Sequence, residues 1–104
     1  MRDKLLQIIN RYGIDMQLKY IHSEYFELDE AILNYENSEW NYSDDLNIER
    51  KYPTHIAEEI ADVMVMLKQF QYYYGIEDKM IESIMNFKID RQIDRINADV
   101  QNNN

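Results

Sequence analysis

The chain has no cysteine, one proline and two glycines among its 104 residues. Without cysteine there is no disulfide, no thiolate nucleophile and no thiolate metal ligand. The three strong breakers, Gly13, Pro53 and Gly75, each fall between stretches of helical periodicity. No stretch alternates apolar and polar residues like a half-buried strand, and no dipeptide marks a hairpin. There is no Gly-rich phosphate loop. His22 and His55 are the two histidines, and neither has a second His or a Cys at zinc-ligand spacing. Nothing approaches the roughly 20 apolar residues of a membrane span. The opening residues, Met1-Arg2-Asp3-Lys4, lead into a mixed segment rather than an apolar signal core, so the expected compartment is the cytoplasm. Basic residues are outnumbered, 11 against 20 acidic, for a net charge of -9. Such a surface is repelled by nucleic acid and by anionic membrane. Solubility accounts for the excess as readily as an acidic functional site does.

What is present is helical periodicity. Residues 3–12 read as a short amphipathic helix through Leu5, Leu6, Ile8 and Ile9, ended by Tyr12-Gly13 with glycine in the left-handed position. Asp15 is placed to cap a second helix reaching about Asn37. Residues 38–52 are polar without a clean period and read as a connection. Pro53 suits the first turn of a third helix, which runs to about Tyr74 and stops at Gly75. A fourth begins near Glu77 and carries Met80, Ile81, Ile84, Met85 and Phe87. Ile89, Ile93 and Ile96 either continue it or form a separate segment. Residues 97–104 read as a frayed polar tail. The expectation is an all-α bundle of four to five helices in a single domain. A domain of this size buries a modest core, and oligomerisation would add burial.

The third helix carries the chemistry. Its apolar stripe runs through Ile56, Ile60, Val63, Met64, Leu67 and Phe70, yet Glu59 and Asp62 sit inside it, three residues apart and therefore neighbours. At roughly 100° per residue they lie about 70° and 130° from the stripe's centre. The second helix repeats the pattern. Its stripe is Leu18, Ile21, Tyr25, Leu28, Ile32 and Tyr35, and Glu24 and Glu27 take the same offsets in the same sense. With the stripes packed face to face and the helices antiparallel, both acid pairs flank one groove. Four carboxylates there repel unless a cation sits among them. Oxygen-only ligands favour hard cations, Mg²⁺ first and Mn²⁺ second. Mg²⁺ commonly completes its shell with substrate phosphates, which points to a nucleoside triphosphate or a similar phosphate ester. The plainer reading is two amphipathic helices with solvated acidic flanks. On the fourth helix Asn86, Lys88, Arg91 and Arg95 are either a solvated basic face or phosphate contacts.

These residues also resemble a known family. Glu24-x-x-Glu27 followed by Glu59-x-x-Asp62 looks like the signature of the MazG-like, all-α nucleoside triphosphate pyrophosphohydrolases. Tyr12-Gly13-Ile14-Asp15-Met16-Gln17-Leu18 resembles the family's aromatic-Gly…Gln segment, and Glu24-Tyr25-Phe26-Glu27-Leu28 its first acidic core. Glu58-Glu59-Ile60-Ala61-Asp62-Val63 resembles its second, and Asn86-x-Lys88-x-x-Arg91 its basic segment. The resemblance spans about residues 12–95. It implies dimers or tetramers with a site built between helices and across subunits. It also implies Mg²⁺-dependent hydrolysis of a (d)NTP to the monophosphate and pyrophosphate in nucleotide-pool cleaning. Carried over, Glu24, Glu27, Glu59 and Asp62 would be metal ligands, one of them helping to activate water. Lys88, Arg91, Asn86 and Gln17 would contact substrate. The chain departs from the family at Gln92, where some relatives have a second Arg, and at Ser23, often acidic there.

No residue identifies the base. Trp40, Tyr42, Tyr72, Tyr73 and Tyr74 are candidates to stack on one, and packing or a subunit interface is the commoner use of such residues. Asp45-x-Asn47-x-Glu49 is a poor calcium loop, since its turn glycine is Arg50. The alternative to an enzyme is a catalytically silent helical module for dimerisation or regulation, in which the acids face solvent.

Overall fold

The computed structural model describes residues 1–38 and 53–102. They form four α-helices and no strands. The helices are α1 (Arg2–Tyr12), α2 (Ile14–Ser38), α3 (Thr54–Tyr73) and α4 (Asp78–Asn102). Trp40, Tyr42 and the Asp45–Glu49 stretch lie outside the described residues. None of the described helices is long and apolar enough to cross a membrane.

The helix ends follow the breakers, with three differences from expectation. At the α1–α2 junction Gly13 donates its N–H to Ile9 O at 2.8 Å and accepts from Gln17 N at 3.1 Å. Its φ of 89° and ψ of 151° place it in an extended mirror-image region rather than the left-handed helical one. Asp15 lies inside the first turn of α2, where its charge complements the helix dipole, instead of capping from outside. Pro53 flanks α3, its carbonyl accepting from Ala57 N at 3.2 Å. α4 is continuous through Ile89, Ile93 and Ile96 and runs to Asn102, so residues 97–102 are helical rather than a frayed tail.

The chain divides into two compact units, Met1–Tyr73 and Tyr74–Asn104. In the first, α3 packs along α2 and against α1. Leu5 and Ile9, one turn apart on α1, are buried. In the second, α4 presents exposed Met85, Ile89, Ile93, Ile96 and Val100 at helical spacing.

The packing of α2 on α3 overturns the expected arrangement. The seam contains Gln17, Glu24 and Ala31 from α2 and Glu59, Met66 and Gln69 from α3, all buried. Each apolar stripe expected to meet there is split: Ile21, Leu28 and Tyr35 on α2 and Ile56, Val63 and Phe70 on α3 are half-buried. Leu18, Tyr25 and Ile32 on α2, and Ile60, Met64 and Leu67 on α3, are exposed. Leu18 and Tyr25 each follow a seam residue by one position, as do Ile60 and Leu67. One residue turns a helix by about 100°. In an antiparallel pair that step carries both helices toward the same side. The exposed halves of the two stripes therefore share one apolar face beside a largely polar seam.

Candidate metal centre

The four acids come together in the seam. Each of Glu24, Glu27, Glu59 and Asp62 offers a carboxylate oxygen, and these oxygens all lie within 4.8 Å of one another. The placement follows from antiparallel register. Gln17 faces Gln69 through a hydrogen bond from Nε2 to Oε1 of 2.8 Å. Seven residues on along α2 and seven back along α3 lead to Glu24 and Asp62. Three more lead to Glu27 and Glu59.

Burial is uneven. Glu24 and Glu59 are 7% and 8% exposed, whereas Glu27 and Asp62 are exposed. One oxygen of each buried acid, Glu24 Oε2 and Glu59 Oε2, has no hydrogen-bond partner. A buried carboxylate oxygen without a donor is costly. Two of them beside two more acids form a donor set that fits a hard, oxygen-preferring divalent cation. Among the described residues no histidine joins this group. His55 stands at its edge, Nε2 3.9 Å from Glu59 Oε1 and Nδ1 3.7 Å from Glu58 Oε2, beyond hydrogen-bond range.

Tyr20, one turn before Glu24, donates its hydroxyl hydrogen bond to that carboxylate. Its phenol is held above the usual value by that bond first, then by Glu24's negative charge, slight desolvation and the charges of Glu27 and Asp62. Beside the cluster an open depression of about 440 Å³ is lined by Phe26, Glu27, Glu30, Ala31, Asn34, His55 and Glu59. It shares Glu27 and Glu59 with the carboxylate cluster, giving a ligand at the acids room to extend.

No protein-family model, curated protein or solved structure matches the chain.

The other expected site residues lie on α2 and α4. Gln17 is buried, its amide nitrogen donating to Gln69 Oε1. Asn86, Lys88 and Arg91 are exposed on α4, in the second unit, and the Arg91 guanidinium lies 5.7 Å from the Phe87 ring centroid. Tyr72 is buried, with Arg2 and Lys68 each 5.6 Å from its ring centroid, so it packs among cations in the first unit. Tyr73 is exposed. Three participants were missed by reasoning from the acids alone: Tyr20, His55 and Gln69. The signal was available for each. Tyr20 precedes Glu24 by four, His55 precedes Glu59 by four, and Gln69 follows Asp62 by seven.

Proposed function

We propose that the protein is a divalent-cation-dependent nucleoside triphosphate pyrophosphohydrolase that cleaves a (d)NTP to the monophosphate and pyrophosphate. The observation that carries this reading is the pair of buried, unpartnered carboxylate oxygens on Glu24 and Glu59 within a four-acid cluster. A silent helical module has no use for them, and its acids would face solvent. The resemblance of the acidic and basic motifs to MazG-like enzymes supplies the reaction class.

Glu24, Glu27, Glu59 and Asp62 would hold Mg²⁺, or Mn²⁺ in its place. The cation supplies charge neutralisation on the phosphates and orientation of the reacting oxygens. In the reaction a water oxygen forms a bond to the α-phosphorus, the bond from that phosphorus to the α–β bridging oxygen breaks, and pyrophosphate leaves. The water's proton passes to a carboxylate of the cluster and then to solvent. Glu27 and Asp62, exposed at the mouth, are the two best reached by that water. Tyr20 orients Glu24 through its hydroxyl. Lys88 and Arg91, with Asn86, are the cations and amide proposed to hold phosphate oxygens. The exposed apolar face of α2 and α3 fits a homo-oligomer, a dimer or a tetramer, in which a second copy covers it.

The test is pyrophosphate release from a panel of canonical and modified (d)NTPs with Mg²⁺ and with EDTA. Release from some nucleotides in Mg²⁺ and none in EDTA is expected. A folded protein that binds Mg²⁺ but releases no pyrophosphate would redirect the site to another phosphate ester. Absence of both would favour the silent module.

A further inference from the structure

The seam between α2 and α3 buries Gln17, Glu24, Glu59 and Gln69 together with Ala31 and Met66, while half of each apolar stripe stays exposed. Burial of apolar area alone would turn both helices the other way, stripe against stripe, and leave the carboxylate pairs along a groove at the edge of the contact instead of inside it. Something with directional preference must hold the observed rotation. Gln17 and Gln69 are 6% and 1% exposed and joined across the seam at 2.8 Å. Gln69 also donates its Nε2 to Met66 Sδ at 3.6 Å, so both ends of its amide are engaged. We infer that the Gln17–Gln69 hydrogen bond sets the rotational phase of α2 against α3, making both glutamines positioning residues for the carboxylate cluster.

An amide pair is satisfied over a narrow range of angles. Apolar side chains are satisfied over a wide one, because they pack against any apolar neighbour. Here the neighbours are ready: Leu18 and Ile21 follow Gln17, and Phe70 follows Gln69. Replacing the amides with hydrocarbon would merge seam and stripe into one broad apolar arc with several phases of similar energy. Cores of that kind lose uniqueness before they lose stability. A buried polar residue that fixes register at some cost in stability is the best-attested use of such groups in paired helices. Gln17 is then no substrate contact: its amide nitrogen serves the seam, and it acts on the site through the helix.

The experiment uses the full chain with Gln17→Leu, Gln69→Leu and the pair. The phase is read by spin labels on Asp29→Cys and Ala61→Cys, both exposed, in a chain with no native cysteine. Cation affinity is read with Mn²⁺. Each single variant should melt lower than the wild type, since one amide is left buried alone, and the pair should recover the wild-type midpoint or exceed it. In the metal-free pair the label distance distribution should broaden, and Mn²⁺ should bind at least tenfold more weakly. A purely structural pair would move the midpoint and leave affinity in proportion. A pair variant with wild-type Mn²⁺ affinity and an unbroadened distribution overturns the inference. The consequence for Mn²⁺ rests on the proposed cation site, and the distance measurement does not. If the wild type itself binds no Mn²⁺, the cation reading fails and the label distribution alone decides the phase. Should the leucine pair not fold, Gln17→Met with Gln69→Met keeps side-chain length and is measured the same way.

Discussion

Glu59 works against the metal-free fold. It is buried, one of its oxygens has no donor, and three other carboxylates lie within 4.8 Å. Like charges at such separations cost about 1 kcal/mol or more even with strong screening. Glu59→Gln should therefore raise the stability of the metal-free protein by about 1 kcal/mol, a rise of roughly 4–8 °C in midpoint for a domain near this size. In Mg²⁺ the order should reverse. A cation at 100 times its dissociation constant stabilises the wild type by about 2.7 kcal/mol, and the variant would gain little. Thermal melts in EDTA and in Mg²⁺ should cross; parallel shifts would remove Glu59 from the ligand set. Tyr20 offers a second reading of the same field. Its phenol is raised by the hydrogen bond to Glu24 and by the surrounding negative charge. A raised acid keeps its proton in the folded state after the unfolded chain has released it. Its contribution to stability is then full below the ordinary tyrosine value of about 10 and is lost as pH rises through the folded value. In metal-free protein the alkaline fall in stability should be shallower in Tyr20→Phe than in the wild type. Identical slopes would mean that Tyr20 does not sense the cluster.

At the scale of the elements, helix ends were legible because breakers are scarce. Gly13 and Gly75, at φ of 89° and 69°, mark the end of α1 and the segment after α3. At Gly13 a Cβ would meet nothing within 4 Å, so the cost of a side chain is purely conformational. Gly13→Ala should lower stability by about 1–3 kcal/mol through backbone strain. Its Mn²⁺ affinity per folded molecule should stay unchanged, measurable by denaturant melts alongside metal titration. A loss of affinity without loss of stability would mean that the junction itself shapes the site. The acid pairs were legible too, since spacing and matched angular offset place Glu24, Glu27, Glu59 and Asp62 on facing flanks. What periodicity could not supply was the rotation of the helices. It assumes that the most apolar arc of each helix turns inward. Here Leu18, Tyr25, Ile60 and Leu67 turn out while Gln17, Glu24, Glu59 and Gln69 turn in. A hydrogen-bonded amide pair outweighs nothing on a hydropathy scale, so the seam was invisible to a count of apolar positions. The continuity of α4 past Ile89 was left open for a related reason: its stripe has no partner among the described residues of its own unit, and amphipathicity was the only guide.

For the whole molecule, the hydrophobic residues buried among the described ones are Leu5, Ile9, Ala31, Met66 and Tyr72. That is a thin core for the described residues, since small domains are marginal even when well packed. Part of the shortfall sits on one face of the first unit, where Leu18 and Tyr25 of α2 lie alongside Ile60 and Leu67 of α3. A two-fold partner laying the same two helices on this face would close a four-helix arrangement and bury every stripe residue twice. It would also favour the polar seam, because helices whose stripes are covered from outside gain nothing by turning them inward. Assembly and site geometry are then one equilibrium. Burying a leucine contributes about 2 kcal/mol, and a two-fold contact uses it in both copies. Leu67→Lys should consequently weaken self-association by roughly a thousandfold or more. Sedimentation of the wild type at micromolar concentration should show a dimer or larger species, and the variant a monomer. The variant should also bind Mn²⁺ more weakly, although Leu67 is no ligand, because uncovered stripes compete for the seam. A monomeric wild type, or a Leu67→Lys protein that associates normally, would place the partner of this face elsewhere and uncouple the site from assembly.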